Sequence, residues 1–156
     1  MSESNGQDNE VLWQFVAMEY FALILNRTFA IAVTERMVCG AYVHGPIPSP
    51  HVPTHNWLDP NFYFSGSFEH YAGVNVESPE FLKLHRANFQ HRLSDILDVD
   101  FDESPKWGMG NVPYSGRVHI RMRDGRRREF ILVGEQDGHS VAGRLRLAAS
   151  CPYSAA

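Results

Sequence analysis

The chain has 156 residues, 44% of them apolar and 21% charged, with a formal charge of −4. That length suits one domain around one core, that composition is not that of a disordered chain, and the acidic balance gives no global attraction to nucleic acid. Cys39 and Cys151 are the two cysteines. They supply neither a disulfide framework nor zinc-ribbon spacing, so a reducing, cytoplasmic setting is the natural expectation.

Residues 1–9 are polar and acidic, lack the basic start of a secretory signal, and read as a disordered tail ahead of one α+β domain over 10–149, with a second short tail at 150–156. The apolar run from Val11 to Leu25 has 15 residues and is interrupted by Gln14 and Glu19. A bilayer span needs about 20, so an integral membrane protein is not expected. The run reads as a buried N-terminal helix capped by Asp8 or Asn9, although its aromatic content leaves a strand open, because periodicity alone does not separate the two.

From Thr28 the pattern is β: Phe29, Ile31 and Val33 alternate, Thr34-Glu35-Arg36 makes a turn, and Met37 to Val43 completes a hairpin. Pro46, Pro48, Pro50, Pro53 and Pro60 then exclude ladder and helix interior alike. Residues 45–92 therefore read as a Pro-rich and helical insertion. Asp59-Pro60 starts one short helix towards Gly73, and Ser78-Pro79-Glu80 starts another that runs to about Phe89.

The most informative stretch is 93–134. Asp98, Asp100 and Asp102 alternate with Leu97, Val99 and Phe101, while Arg117, His119, Arg121 and Arg123 alternate with Val118, Ile120 and Met122. A period of two places one set in the core and the other in water. Asp124-Gly125 is a hairpin turn leading to a strand over Arg128–Val133, and Asp137 or Ser140 starts a closing helix.

Eight of the 14 lysines and arginines lie between Arg117 and Arg146, where Asp and Glu number four. Such a basic face could receive phosphate, but if the acidic and basic strands are neighbours their charges pair across the sheet and the stripe neutralises itself. Arg126 and Arg127, at the hairpin tip, escape that pairing and are the better candidates for ligand contact. The loop 103–116 carries Lys106, Trp107, Met109 and Tyr114 among three glycines. Its aromatic and cationic groups suit a protein partner or an anionic lipid headgroup, and the alternative is that Trp107 folds back over one end of the sheet.

His51 and His55 are four apart, with His44, Asp59 and His70 nearby. A metal site would use such residues, yet Pro50 and Pro53 forbid the helix that would align them. Nucleophile-elbow and zinc-protease motifs are absent. Cys39, inside an apolar strand, is a small hydrophobe rather than a reactive thiolate. No cofactor is expected.

Three stretches resemble the bacterial pleckstrin-homology-like and GRAM-like domains. They are TFAIAVTERMVCGAYV at 28–43, FQHRLSDILDVDFD at 89–102 and GRVHIRMRDGRRREFILVGEQDGHSVAGRLRLA at 116–148, together less than half the chain. The resemblance implies a bent antiparallel sheet or partly open barrel closed by a C-terminal helix, without catalysis and with lipid or protein binding. Those domains have seven strands, of which five are read here, and no ligand-binding residue carries over. The leading expectation is a non-catalytic binding or scaffold domain. The alternatives are a small hydrolase or metal-dependent enzyme with a His-containing site in 44–70, drawing on His44, His51, His55, Asp59 and His70, and a subunit of an obligate oligomer, the last suggested by the apolar and aromatic excess in 11–25 and 57–71.

Overall fold

A computed structural model describes residues 10–22, 25–44, 71, 73–109 and 112–151. Among these, seven strands are formed: β1 (Trp13–Ala22), β2 (Leu25–Val33), β3 (Met37–His44), β4 (Phe89–Arg92), β5 (Ile96–Asp102), β6 (Tyr114–Met122) and β7 (Arg127–Val133). Helix α1 (Pro79–Leu84) precedes β4 and helix α2 (Gly138–Ser150) follows β7. The strands make one sheet in the order β4-β3-β2-β1-β7-β6-β5, with every neighbouring pair antiparallel. The architecture is α+β, as expected.

The sheet consists of two meanders joined through β1 and β7. Only Ala17–Leu132 and Met18–Ile131 pair across that junction. Gln136 extends it, its Oε1 accepting from the Val16 amide at 3.0 Å and its Nε2 donating to the Val16 carbonyl at 2.7 Å. The two edge strands, β4 and β5, are consecutive in the chain, separated only by the single turn Leu93–Asp95. The sheet must therefore bend back on itself. Its inner face gathers Phe15, Ala17, Phe29, Ile31, Val38, Phe89, Ile96, Val99, Val118, Ile120, Phe130 and Leu132 into one core, covered by Val141, Ala142 and Leu145 of α2.

Local chemistry explains the turns. Thr34 Oγ1 accepts from the amides of Arg36 (3.2 Å) and Met37 (3.0 Å), which closes the β2–β3 hairpin. Gly125 takes a positive φ of 89° at the β6–β7 turn, where Asp124 accepts from the Arg126 amide at 3.0 Å. Asp137 caps α2 by accepting from the Ser140 amide at 3.0 Å. The exposed edge of β5 is partly occupied, since Arg146 on α2 donates twice to the Val99 carbonyl, at 3.0 and 2.7 Å.

Three expectations are corrected. The N-terminal helix is instead strand β1. Phe15 and Ala17 point into the main core, while Val16 and Met18 face a second cluster with Met109, Val112, Ile131 and Val133. A strand covered on both faces has no polar alternation, and for that reason its sequence resembles a buried helix. The helix expected to reach Phe89 ends at Leu84, where His85 turns extended, and Phe89–Arg92 pairs with Met37–Gly40 as β4. Gly40 makes this possible, because a side chain there would occupy the space of the Phe89 ring. Leu97 does not point inward: a bulge between Ile96 and Asp98 puts Ile96 and Val99 in the core and Leu97 in solvent. The expected helix towards Gly73 and most of the Pro-rich connection lie outside the described residues.

Candidate functional site

The acidic and basic strands are neighbours and their charged faces pair. Asp98 faces Arg121, Asp100 faces His119 and Asp102 faces Arg117. Arg117 binds Asp102 at 2.5 Å and reaches Glu129 on β7 at 3.1 Å, while Arg121 approaches Asp98 at 3.4 Å. Hydrogen bonds from Ser104, followed by the charge of Arg117, hold the Asp102 carboxyl below the ordinary carboxylate range. Along β5 and β6, Arg117 and Arg121 each meet a carboxylate, whereas Arg123 donates to the Ser94 carbonyl and Arg127, opposite Arg121 in the β6–β7 ladder, has no ion-pair partner among the described residues.

The loop candidates separate. Lys106 is tied down: its ammonium pairs with Glu129, and its backbone amide donates to the Tyr114 hydroxyl at 2.7 Å. Burial raises the Glu129 carboxyl, but the hydrogen bond and charge of Lys106, with Arg117 and His119, outweigh it and bring the group below its usual value. Lys106 and Tyr114 thus help to hold the loop in place. Trp107 does not fold back over the sheet; it is 94% exposed. At the β6–β7 tip, Arg126 is held by Asp124 at 2.7 Å and so does not fully escape pairing, whereas Arg127 has no ion-pair partner among the described residues.

A cluster not anticipated from the sequence lies at one end of the inner face. Four strands change there from apolar to polar in the same register: Phe15 and Ala17 lead to Glu19, Ile31 and Phe29 to Arg27, Phe89 to His91, and Leu132 and Phe130 to Arg128. Glu19 is the common acceptor. Arg27 donates to its Oε2 from two nitrogens, at 3.1 and 3.0 Å. Arg128 grips both oxygens, Nε on Oε1 at 2.9 Å and Nη2 on Oε2 at 2.8 Å. The third Arg128 nitrogen lies 3.0 Å from His91 Nε2. Arginine only donates, so His91 Nε2 accepts, and the imidazole is neutral with its proton on Nδ1. Burial and the neighbouring Arg128 agree with this, pushing the His91 pKa down to about 4.

Aromatic rings complete the setting. The Arg128 guanidinium lies 3.8 Å from the Phe89 ring centroid and 5.0 Å from that of Phe130. Phe89 in turn stacks on Phe130 and His91. Two guanidiniums therefore share one carboxylate in a mostly buried place, with 13% of the Glu19 side chain and 14% of that of Arg128 exposed. The cluster floors an open cleft of 470 Å³ that Arg86, Arg126 and Arg127 also line. Five arginines stand here against two carboxylates, Glu19 in the cleft and Asp124 on the turn, an excess of three positive charges. Arg86 and Arg127 are exposed and have no ion-pair partner among the described residues. The arrangement is chemically suited to receive an anion, through charge-assisted hydrogen bonds from guanidinium groups held by aromatic and carboxylate neighbours.

Other chemistry finds less support in the described residues. No group of three or more His, Cys, Asp or Glu among them could hold a metal ion. His51, His55, Asp59 and His70 lie outside the described residues, as does the side chain of His44. Cys39 is buried and its thiol is pushed up to about 12, chiefly by that burial. The signal that could have found the cleft is a change of register chemistry, in which an inward-facing series ends on a charge at the same end of several strands.

No family model matches the chain, and no curated protein does. Among solved structures, the chain is similar to the C-terminal domain of an unknown protein from Leishmania infantum, at 9% sequence identity and a TM-score of 0.49, over 90% of this chain and 84% of that one.

Proposed function

We propose that the protein is a non-catalytic binding domain of pleckstrin-homology-like build, whose ligand is an anionic group received at the arginine-lined end of its core. Two antiparallel meanders, of four and three strands, joined through β1 and β7 and covered by a C-terminal helix, support that build. The observation that carries the function is the convergence of Arg27, Arg86, Arg126, Arg127 and Arg128 on one cleft whose inner carboxylate, Glu19, is already shared. An anion entering it meets Arg86 and Arg127 directly and the buried guanidiniums as a background of positive charge.

Titration calorimetry with inorganic pyrophosphate tests the reading, comparing the wild type with Arg86→Ala/Arg127→Ala. Each removed charge weakens binding by about fivefold if its contact contributes near 1 kcal/mol, a modest charge-assisted bond. A wild type that binds no pyrophosphate, or a double variant that binds it equally well, would remove the cleft from consideration.

A further inference from the structure

We infer that the open edge of β4 receives an extended acidic segment of a protein partner, which adds a strand to the sheet and sets its carboxylates in the arginine cleft. The inference rests on the anion-binding reading above and names the kind of molecule that carries the anion. It begins with the two edges of the sheet, which differ. At β5 the outward Val99 carbonyl is taken by Arg146, at 3.0 and 2.7 Å, and a bulge between Ile96 and Asp98 breaks the regularity of the strand. Such devices keep an edge from pairing with a foreign strand. β4 has neither. The Leu93 amide donates to the Arg36 carbonyl at 2.8 Å, which makes these two a hydrogen-bonded pair. Alternation along the antiparallel ladder then turns the backbone groups of Phe89 and His91 towards β3 and those of Gln90 and Arg92 away from it. Among the described residues, no strand of the sheet lies on that side.

The cleft borders this edge. Ser94 and Asp95, which follow β4, are held by Arg123: its Nε donates to the Ser94 carbonyl at 2.9 Å and its amide to the Asp95 carbonyl at 2.8 Å. The β6–β7 turn therefore runs alongside β4, joined to it at the Asp95 end, and Arg126 and Arg127 line the gap together with Phe89 and His91. In an added strand every second side chain points to the side of Phe89 and His91, where the arginines stand. Charge decides what those side chains are. An excess of three positive charges suits carboxylates at alternate positions. The same excess opposes a second copy of this chain, because pairing β4 with β4 would set two such clefts side by side. Backbone hydrogen bonds to Gln90 and Arg92 supply affinity, and the alternate carboxylates supply selectivity.

The test is fluorescence anisotropy with labelled peptides of alternating glutamate and valine, or of alternating lysine and valine, alongside the pyrophosphate titration. The glutamate peptide is expected to bind and the lysine peptide not. A strand presents the amides of alternate residues to one edge only. Methylating every valine amide, or every glutamate amide, should therefore abolish binding in one case and spare it in the other. On the protein, Arg92→Pro removes one outward amide and leaves the β3 ladder in place, and the Arg92 φ of −67° already suits proline. It should bind the glutamate peptide about fivefold more weakly than Arg92→Gln, the loss of one hydrogen bond, and bind pyrophosphate equally well. Should Arg92→Pro fail to fold in urea denaturation, the two methylated peptides still decide the matter. Pyrophosphate binding without glutamate-peptide binding overturns the added strand and leaves the anion site standing. Equal binding of the two methylated peptides does the same, because charge alone would then be acting. Failure of both ligands removes both readings. A wild type that is dimeric in sedimentation equilibrium, with a monomeric Arg92→Pro, would give the edge to a second copy and overturn the acidic partner.

Discussion

The ladder between β5 and β6 and the cleft at the open end of the core hold the same kinds of charge and handle them differently. On the ladder, the antiparallel register sets Asp98 against Arg121 and Asp102 against Arg117, so that charge is cancelled pair by pair. In the cleft, Arg27 and Arg128 draw on the single carboxylate of Glu19, and aromatic rings replace much of the solvent. The density of arginine in the sequence therefore says little about where an anion will bind. What decides it is the ratio of guanidinium to carboxylate at each place.

The sharpest way to break that comparison is to remove Glu19. Glu19→Gln leaves two guanidiniums facing each other in a mostly buried site without their counter-charge, and should lower the unfolding free energy by about 3 kcal/mol, the lower end for breaking a buried ion pair, since these side chains retain some exposure. Urea denaturation measures it. The same variant should recover more stability from added inorganic phosphate than the wild type does, because the ligand then supplies the missing charge. A cost no greater than that of a surface pair would mean that the cleft is only another ladder.

A smaller effect should appear on acidification. In the folded chain His91 resists protonation down to about 4, whereas unfolded it takes a proton near 6.5. Within that interval the unfolded state binds the extra proton, so the contribution is intact above 6.5 and declines as pH falls towards 4. After discounting for partial solvent access, the loss should be about 2 kcal/mol. His91→Gln, which keeps an acceptor for Arg128, should flatten this part of the profile when denaturation is followed across the interval. An unchanged slope would show that His91 is not the group whose protonation destabilises the fold in this interval.

Much of the fold was legible because its signals were local: the Thr34 turn, the Ser78 and Asp137 caps, the Asp124-Gly125 hairpin and the alternation of β5 and β6 all depend on neighbours in sequence. The failures were not local. Whether Val11–Leu25 is helix or strand depends on what covers its outer face, and that cover, Met109 and Val112, comes from the far half of the chain. Phe89 enters a strand because Gly40 leaves room for its ring. The cleft was hidden for the same reason. Glu19, Arg27, His91 and Arg128 are scattered over more than a hundred residues, and only the bend of the sheet brings their inward positions to one end. Of the site residues read from sequence, Arg126 and Arg127 do line the cleft, Trp107 is exposed, and Lys106 and Tyr114 are engaged in holding its loop.

The mildest substitutions sharpen the comparison most cleanly, because they separate stability from binding. Arg127 lines the cleft without an ion-pair partner among the described residues, while Arg121, its direct neighbour across the β6–β7 ladder, pairs with Asp98 and does not line the cleft, and both are exposed. Arg127→Ala should leave stability within about 0.5 kcal/mol of the wild type, as an exposed unpaired side chain does, yet weaken pyrophosphate binding by about fivefold. Arg121→Ala should be equally quiet in denaturation, since exposed pairs contribute about 0.2–1 kcal/mol, and should leave pyrophosphate affinity unchanged. Both variants remove one positive charge from the same basic stretch of sequence. If net charge governed binding, they would weaken it alike. Only if the cleft is the site does the arginine that lines it matter while its ladder neighbour facing Asp98 does not.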